Sequence, residues 1–284
     1  MVNYNGHFFA ENEPIFTHNN RGYKYGDGVF ETLRVVNGEI FFWEDHYFRL
    51  MASMRMLRME IPMNFTLEHL QEEILNTVQK NDLANDSARI RLTVSRNDGG
   101  LYTPENNTIS YTIEANLLNS PFYTLHEGTY EVELFKDYFV NKDLLSQLKT
   151  TNKITNVLAG VYAKENGYDN CILLNSEKQV IEAINGNVFL VQGNTVKTAP
   201  LNDGCLNGII RKKIIEIIEV SEDLELSETS ISPFELQKAD EFFITNSIQG
   251  IIPITKYRKK TYTNMLAKNI LGKLNAKARL EATS

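Results

Sequence analysis

The sequence has few of the residues that mark disulfide-stabilised, metal-binding or membrane-spanning proteins. Two cysteines, Cys171 and Cys205, occur among its 284 residues. Two scattered cysteines indicate buried thiols rather than a disulfide framework or a metal site. The longest apolar runs, such as those at residues 41–43 and 251–252, are far too short to cross a bilayer. We therefore expect no disulfide, no metal site and no membrane partner.

Positive charge is also scarce. Lysine and arginine number 29 against 36 acidic residues, giving a formal net charge of −7, so the chain offers no broad basic surface to a phosphate backbone. A nucleic-acid partner is therefore not expected. The sequence begins without a basic and then apolar leader, which favours a cytoplasmic protein. Its 42% hydrophobic and 23% charged residues are typical of a globular enzyme.

A mixture of short strands and helices predicts an α+β protein with two unequal domains. In the first domain, a strand over residues 29–36 ends at the turn dipeptide at 37–38, which is typical of a hairpin. Apolar residues recur at helical spacing over 43–58, and Thr66 can cap a second helix that ends near residue 79. The remaining predictions here are a hairpin over 3–10, a glycine-rich loop over 22–28, and strands over 88–95 and 108–115.

Residues 116–128 lack clear periodicity and contain Asn, Ser and Pro, which predicts a linker. We therefore place a small N-terminal α/β domain at 1–115 and a larger, β-rich domain at 129–284. The second domain is predicted to contain strands over 130–138, 170–175 and 241–245, a hairpin over 187–199, and helices over 154–166, 209–220 and 263–280.

The neighbours of each lysine do not by themselves identify a catalytic group. Lys149 lies at a predicted junction of loop and helix among small hydroxyl residues, where an amine could be held away from bulk water with a lowered pKa. Lys142 and Lys153 occupy almost equivalent places in the sequence. A solvated surface charge is the commoner role of a lysine, so these residues alone leave the choice open.

Two other features could serve either chemistry or structure. Residues 203–211 bring glycines to the start of a predicted helix. Backbone N–H groups and the helix dipole could form an anion site there, or the glycines could simply make a left-handed turn. Glu182 lies between apolar residues beside a strand, and such a carboxylate is either exposed on the polar face or buried with a cationic partner. A buried glutamate beside a pyridine ring would keep the ring nitrogen protonated.

Six motifs follow one another along the chain: residues 26–34 (GDGVFETLR), 44–50 (EDHYFRL), the loop around Lys149, residues 182–189 (EAINGNVF), 206–211 (LNGIIR) and 244–247 (ITNS). Together they resemble the class IV aminotransferases, a family that includes branched-chain aminotransferases, D-amino acid aminotransferases and 4-amino-4-deoxychorismate lyases. The resemblance runs in order from about residue 3 to about residue 255. Lys149 and Glu182 are 33 residues apart, as the family would lead one to expect, and this spacing selects Lys149 over its neighbours.

The resemblance implies a two-domain, fold-type IV enzyme that uses pyridoxal 5′-phosphate (PLP). Lys149 would bind PLP as a Schiff base and then move a proton between substrate and cofactor. Glu182 would pair with the pyridinium nitrogen, and Arg49 would bind the phosphate through its planar guanidinium. Further cofactor contacts would come from Leu206, Gly208, Ile209, Ile210, Asn246 and Ser247. The family also implies a homodimer in which a loop of the neighbouring chain completes each active site.

The resemblance implies a substrate pocket lined by one strand of the small domain and by an arginine that binds a substrate carboxylate. Phe30, Thr32 and Arg34 would face the pocket from the small domain. Arg91 and Arg96 are both candidates for gripping a substrate carboxylate, because a guanidinium can make two parallel hydrogen bonds to it. Either arginine could equally be an ordinary charge on a strand face.

The reaction itself is less well defined by the resemblance than the cofactor is. Leu101 stands where the lyases often have an arginine that holds the substrate, and the same loop lacks the Arg-x-His pair typical of the D-amino acid enzymes. Branched-chain enzymes more often have glycine in place of Thr32, and some have a tyrosine near Ile154. We favour an aminotransferase acting between an L-amino acid with an apolar, branched-chain-like side chain and 2-oxoglutarate. The alternatives are a 4-amino-4-deoxychorismate lyase, a D-amino acid aminotransferase, and a cofactor-free binding protein of the same fold.

Overall fold

A computed structural model of the protein describes residues 1–282, with side chains described for residues 1–281. The chain forms two compact units. The first comprises residues 1–121, 149–152 and 278–282, and the second comprises residues 122–148 and 153–277. Each unit combines helices with a β-sheet, which confirms the predicted α+β class.

The first unit is built on a six-stranded antiparallel sheet. Its strand order is β2-β1-β6-β5-β3-β4. The strands are β1 (Val2–Tyr4), β2 (His7–Phe9), β3 (Gly28–Val36), β4 (Glu39–Ile40), β5 (Ser87–Arg96) and β6 (Ile109–Leu118). The helices are α1 (Arg21–Tyr25), α2 (Trp43–Met56) and α3 (Leu67–Lys80). The predicted hairpins and both long helices are therefore present.

One face of this sheet packs against α2 and α3. Successive side chains of a strand point to opposite faces, so Leu33 and its partner Ile90 lie on the same face of β3 and β5. These two residues belong to a buried core that also contains Leu50, Met54, Leu70 and Ile74 of the two helices. Removing each such side chain from water stabilises the unit by about 1.5–3 kcal/mol. Thr66 caps α3 as predicted, because its Oγ1 accepts a hydrogen bond from the N–H of His69 at 3.2 Å.

The predicted glycine-rich loop over residues 22–28 is partly wrong, since α1 occupies Arg21–Tyr25. Asn20 begins this short helix by accepting a hydrogen bond from the N–H of Tyr23 at 2.9 Å. Gly26 ends it in the left-handed conformation, with φ of 63°. A polar cap followed six residues later by a terminating glycine was the signal for a helical turn.

Strand β6 continues past the predicted end of the first domain. Residues 116–118 pair with residues 87–89 of β5, so the predicted linker over 116–128 begins inside the sheet. These residues lack an alternating pattern because they lie at the partly exposed end of the strand. Residues 149–152, which the sequence assigned to the large domain, group with the first unit.

The second unit contains a ten-stranded sheet. Eight strands follow the order β12-β11-β10-β9-β8-β7-β15-β16, while β13 pairs with β10 and β14. The strands are β7 (Glu131–Leu134), β8 (Asn170–Leu174), β9 (Val180–Ala183), β10 (Gly186–Gln192), β11 (Thr195–Thr198), β12 (Glu225–Glu228), β13 (Glu241–Asn246), β14 (Gly250–Ile254), β15 (Lys256–Tyr257) and β16 (Lys260–Thr261). The remaining helices are α4 (Ile154–Asn166), α5 (Ile209–Glu219) and α6 (Met265–Ala282). No helix in the described part of the chain is long and apolar enough to span a membrane.

The predicted elements of the second unit are present within a few residues, except that β7 is shorter than the strand predicted over 130–138. Gly167 ends α4 as predicted, with φ of 73°. Strands β9, β12, β14, β15 and β16 lie outside the predicted set. They span two to five residues, and β9 and β14 are buried along their whole length, so they lack the alternation that marks a half-buried strand.

Candidate active site

Lys149 is held in place by backbone pairing with the start of β3. Its carbonyl accepts a hydrogen bond from the N–H of Phe30 at 2.9 Å, and the N–H of Thr151 donates to the carbonyl of Gly28 at 2.9 Å. This edge of β3 is available because β4 pairs only with the last two residues of the strand. Lys149 is therefore positioned by a strand edge rather than by a mobile loop.

The glycines of the first motif allow this close approach. A Cβ atom on Gly28 would lie 2.8 Å from the carbonyl oxygen of Val94 and 3.2 Å from Oγ1 of Thr151. Thr151 Oγ1 also donates to the carbonyl of Gly26 at 3.0 Å. The glycines of the motif at residues 26–34 therefore let residues 149–152 lie directly against the first unit's sheet.

The side chain of Lys149 lies over the ring of Phe30, with Nζ 4.5 Å from the ring centroid. The guanidinium carbon of Arg91 is 3.9 Å from the same centroid. Arg91 pairs directly across the sheet with Thr32, and Phe30, Thr32 and Arg34 share this face of β3. Burial lowers the pKa of Arg91 more than the nearby Glu114 carboxylate raises it. Four of the residues predicted for catalysis or substrate binding, Phe30, Thr32, Arg91 and Lys149, are therefore neighbours.

Arg34 and Arg96 are buried and have structural partners. Arg34 donates from Nη2 to the carbonyl of Ser120. Arg96 lies five residues after Arg91 and so points to the opposite face of β5. It donates from Nε to Asp27 at 3.0 Å and from Nη2 to the carbonyl of Leu57 at 2.7 Å. We therefore retain Arg91 as the candidate for gripping a carboxylate and assign Arg96 to holding the fold.

Arg49 forms a buried cluster with Glu31 and His46 on the helix-covered face of the sheet. Its Nε and Nη2 donate to the two carboxylate oxygens of Glu31 at 2.8 and 2.5 Å. Nδ1 of His46 lies 2.7 Å from Oε2 of Glu31. Burial by itself would raise the pKa of Glu31, but the charge of Arg49 and the hydrogen bonds from His46 and Arg49 lower it to about 2. Glu31 is therefore ionised at neutral pH and fixes the plane of the Arg49 guanidinium.

The pKa of His46 is lowered, chiefly because burial disfavours its charged form and in part because Arg49 and Lys149 carry like charge. Since the carboxylate of Glu31 can only accept, Nδ1 of the neutral imidazole donates to it. The sequence interpretation assigned no role to Glu31 or His46, although both lie inside quoted motifs. The available signal was the alternation of β3, which places Glu31 on the same face as Leu33 and Val35.

In the second unit, Glu182 is buried in β9 and accepts a hydrogen bond from the N–H of Leu206 at 3.0 Å. Asn187 of β10 donates from Nδ2 to the carbonyl of Leu206 at 2.8 Å. The backbone of Leu206 is thus held on both sides by neighbouring strands. A Cβ atom on Gly208 would lie 2.0 Å from Oδ1 of Asn187, so a larger residue at 208 would displace the Asn187 side chain that holds Leu206.

Helix α5 begins directly after this segment, and no side chain caps its N-terminus. The left-handed turn that was the alternative interpretation is present at Gly204, with φ of 99°, but not at Gly208, which has φ of −75° and ψ of 139°. The N–H groups of Ile209 and Ile210 belong to the first helical turn, where no acceptor exists within the helix. Together with the helix dipole, they present donors suited to a phosphate.

A tight turn at residues 246–250 carries the last predicted cofactor residues. Oδ1 of Asn246 accepts hydrogen bonds from the N–H groups of Ile248 at 3.1 Å and Gln249 at 2.9 Å. The Asn246 amide therefore shapes the turn. The hydroxyl of Tyr123 donates to the carbonyl of Ser247 at 3.1 Å, which fixes the backbone of the residue predicted to contact the phosphate.

The two cysteines are buried and free, as predicted. Burial is the main cause that raises the pKa of each thiol to about 12, so both are protonated at neutral pH. No group of three or more His, Cys, Asp or Glu residues that could hold a metal is found in the described range 1–282.

Comparison with known proteins identifies the family. The family model described as "Amino-transferase class IV" matches residues 28–257, which include the Lys149 segment, the Arg49 cluster and the Glu182 segment. The chain belongs to the class IV aminotransferases. It is 30% identical over 273 residues to the Methanocaldococcus jannaschii protein named "Putative branched-chain-amino-acid aminotransferase", covering 96% of this chain and 93% of that protein. It is 27% identical over 254 residues to the D-alanine aminotransferase of Staphylococcus haemolyticus, covering 89% of this chain and 87% of that protein.

Solved structures support the same fold. The chain is similar to the crystal structure of a branched-chain aminotransferase from Thermoproteus uzoniensis with norvaline, with a TM-score of 0.87, 27% identity, and coverage of 96% of this chain and 92% of the other. It also shares the fold of a structure from Legionella pneumophila named as a putative 4-amino-4-deoxychorismate lyase. There the TM-score is 0.82 at 24% identity, with coverage of 94% and 97%. The predicted fold-type IV architecture is therefore confirmed.

Class IV aminotransferases depend on PLP, and the residues of this chain suit that cofactor. The buried carboxylate of Glu182 matches a protonated ring nitrogen. The uncapped start of α5 and the oriented guanidinium of Arg49 match a phosphate. Lys149 supplies an amine next to the candidate substrate residues.

Proposed function

We propose that this protein is a PLP-dependent aminotransferase that moves an amino group between an apolar, branched-chain-like L-amino acid and 2-oxoglutarate. The observation that carries the proposal is the fixed position of Lys149, whose backbone pairs with β3 and whose amine lies beside Phe30. The branched-chain-aminotransferase relatives support this choice of substrate.

Each proposed role follows from the chemistry of one side chain. When bound, PLP supplies an electron sink for the carbanion formed at the substrate carbon. Lys149 would hold the cofactor through its amine and would move the proton from the substrate carbon to the cofactor, which amino transfer requires. Glu182 keeps the ring nitrogen protonated, and Arg49 holds the phosphate. The first N–H groups of α5 and the hydroxyl of Ser247 would supply further donors suited to a phosphate.

The covalent role of Lys149 can be tested by spectroscopy. Purified wild-type protein incubated with PLP should show an absorbance band at the edge of the visible range that collapses on borohydride treatment. Peptide mass spectrometry should then locate the reduced adduct on Lys149. Lys149→Ala should lose the band, whereas Lys153→Ala, the neighbour that the sequence pattern alone could not separate, should keep it. A colourless wild-type protein, or a band that survives in Lys149→Ala, would refute the proposal.

The choice of reaction requires substrate assays on the holoenzyme. Formation of glutamate from 2-oxoglutarate with leucine, isoleucine or valine supports the proposed aminotransferase. The staphylococcal relatives make D-alanine the necessary competing donor. Release of pyruvate from 4-amino-4-deoxychorismate without a keto acid would instead identify a lyase, and it would contradict the proposed reaction while leaving the cofactor assignment intact.

We also propose that the protein is a homodimer, as the family resemblance implies, and that α4 contributes to the interface with a second copy. Ile154, Val157, Leu158 and Val161 are 36–62% exposed and recur at the spacing of one helix face. Val157→Lys should shift the sedimentation coefficient toward that of a monomer at micromolar concentration. Asn166→Lys, an exposed polar position on the other side of the same helix, should not. An unchanged coefficient in Val157→Lys would remove α4 from the interface.

A further inference from the structure

The sheet of the first unit has a second face, opposite the one that packs against α2 and α3, and we call it the open face. The open face has an excess of positive charge. Cross-strand register places Thr32, Arg91 and Glu114 in one row and Arg34, Arg89 and Asn116 in the next. Within strands β3, β5 and β6, this face therefore carries three arginines and a single carboxylate. Lys149 adds a fourth cation at the end of the face where its amine contacts Phe30.

The three arginines differ in how they are satisfied. Arg34 donates to the carbonyl of Ser120. Arg91 donates to the hydroxyl of Thr93 at 3.2 Å and stacks on Phe30. Arg89 is half-buried and makes no hydrogen bond or ion pair with any residue of the described range. None of its donors has a partner among the described residues, whereas Arg91 uses only Nε in its bond to Thr93.

This arrangement is unfavourable unless an anion completes it. Arg89 lies directly opposite Arg34 on the neighbouring strand, and like charges in that position destabilise a sheet. Arg89 also lowers the pKa of Arg91, in the same direction as burial and against Glu114. A half-buried guanidinium with free donors, beside a second one, is suited to a carboxylate.

The order of residues along the open face indicates which end of a bound ligand would lie near Lys149 and which near Arg89. Lys149 contacts Phe30, which pairs with Thr93. Arg91 lies one row farther along β5, and Arg89 lies a further row away, about 6.6 Å beyond Arg91 along the strand. A substrate whose reacting carbon lies near Lys149 would extend its far end past Arg91 toward Arg89.

We propose that Arg89 is a specificity-determining residue that binds, beside Arg91, the carboxylate farther from the reacting carbon of a dicarboxylic substrate. Arg89 thereby favours a dicarboxylic keto acid over a monocarboxylic one. This inference rests on the proposed aminotransferase function for its kinetic consequence. Its binding consequence, recognition of a second carboxylate, can be measured without turnover.

The binding test compares two unreactive ligands on the PLP-loaded protein. Glutarate carries two carboxylates, and valerate has a methyl group in place of one of them. Calorimetry should show that Arg89→Met, which keeps most of the apolar stem, weakens glutarate binding by about 10- to 100-fold, as expected for loss of a charge-assisted hydrogen bond. Valerate binding should change by less than about 2-fold. Arg55→Met, at an exposed position of α2, removes the same charge elsewhere and should alter neither.

The kinetic test uses 2-oxoglutarate and pyruvate as alternative amino acceptors. In Arg89→Met the KM for 2-oxoglutarate should rise by a similar factor with kcat little changed, because the lost contact is made equally before and during the reaction. The pyruvate constants should stay close to wild type, and Arg89→Lys should recover part of the preference.

Two results would overturn the inference. One is unchanged glutarate binding in Arg89→Met, and the other is an equal loss for both acceptors. If the wild-type protein transaminates no substrate pair, the proposed function fails, but the comparison of glutarate with valerate still decides the role of Arg89.

Discussion

The two faces of the first unit's sheet differ in whether their charged side chains are paired, although the same strands contribute residues to both faces. On the helix-covered face, the carboxylate of Glu31 is buried and bonded to both Arg49 and His46. On the open face, Arg89 and Arg91 lie side by side with one carboxylate, Glu114, to balance them. The first arrangement is internally satisfied and therefore stabilises the fold. The second is incomplete within this chain's strands and is therefore suited to a ligand.

The comparison of the two faces separates arginines that are bonded within the fold from arginines that could bind a ligand. Arg91 and Arg96 have the same side chain and lie on the same strand, yet Arg96 donates to Asp27, to Asn107 and to two backbone carbonyls. The two arginines therefore differ in role because they lie on opposite faces of β5, not because of their residue type. The predictions below test whether the two faces differ as much in energy as they do in geometry.

The largest effect is expected from Glu31→Gln. The amide keeps the shape of the side chain but leaves Arg49 without its buried counter-charge, so the free energy of unfolding should fall by about 3–5 kcal/mol. Denaturant unfolding followed by circular dichroism measures this loss. Glu73→Gln on α3 is the control for a carboxylate whose hydrogen bonds are to neutral groups, and it should cost less. Equal costs would show that the Arg49 cluster is not a special stabilising feature.

The same carboxylate should make stability depend on acid pH. The pKa of Glu31 is lowered from 4.5 to about 2 in the folded protein. Its contribution is therefore complete above pH 4.5 and is lost as the pH falls toward 2. Linkage puts this loss at about 3 kcal/mol. Unfolding measured at a series of pH values should show the decline in wild type and a flatter profile in Glu31→Gln below pH 4.5.

A separate loss from His46 should persist in that variant. The pKa of His46 is lowered below 6.5 in the folded protein, so the unfolded chain binds the proton more readily and stability begins to fall near pH 6.5. A wild-type profile that stays flat from pH 6.5 to 2 would contradict both assignments.

Much of the scaffold could be predicted because its signals are local. The cap at Thr66, the stop at Gly167 and the turn at Asn37 each depend on a few adjacent residues. The short strands β15 and β16 could not be predicted, because two residues carry no measurable periodicity. The strand predicted over residues 108–115 continues to residue 118 for a related reason, since the end of β6 is held by its partner strand rather than by its own pattern.

The candidate site was only partly visible in the sequence. Pairing between Lys149 and Phe30 joins residues more than a hundred positions apart, so no local pattern could predict it; the family resemblance supplied the residue instead. The opposite placement of Arg91 and Arg96 was predictable, because an odd separation along a strand changes the face. Arg89 could likewise have been placed beside Arg91 from alternation alone.

Gly28→Ala should disturb the open face while sparing the Arg49 cluster. The added Cβ would meet the carbonyl of Val94 at 2.8 Å, so the start of β3 must shift and the unfolding free energy should fall by about 1–3 kcal/mol. Because the same edge holds Lys149, the fraction of protein that reacts covalently with PLP should fall as well. Gly272→Ala, in a helix with open space at the Cβ position, should be neutral or slightly stabilising. Full PLP labelling of Gly28→Ala would show that the pairing of residues 149–151 does not position the amine.

The smallest effect on stability is expected from Glu114→Gln, the counterpart of Glu31→Gln on the open face. Glu114 is half-buried and lies opposite Arg91, but it makes no hydrogen bond or ion pair with the described residues. Its interaction with Arg91 is therefore screened by solvent, and the free energy of unfolding should change by no more than about 0.5 kcal/mol. Ligand binding should respond differently, because removing this charge leaves the arginines unopposed. Glutarate affinity should rise, and the increase should shrink as salt is added. A loss of stability comparable to that of Glu31→Gln would mean that the open face is balanced internally, and the case for a bound carboxylate there would fail.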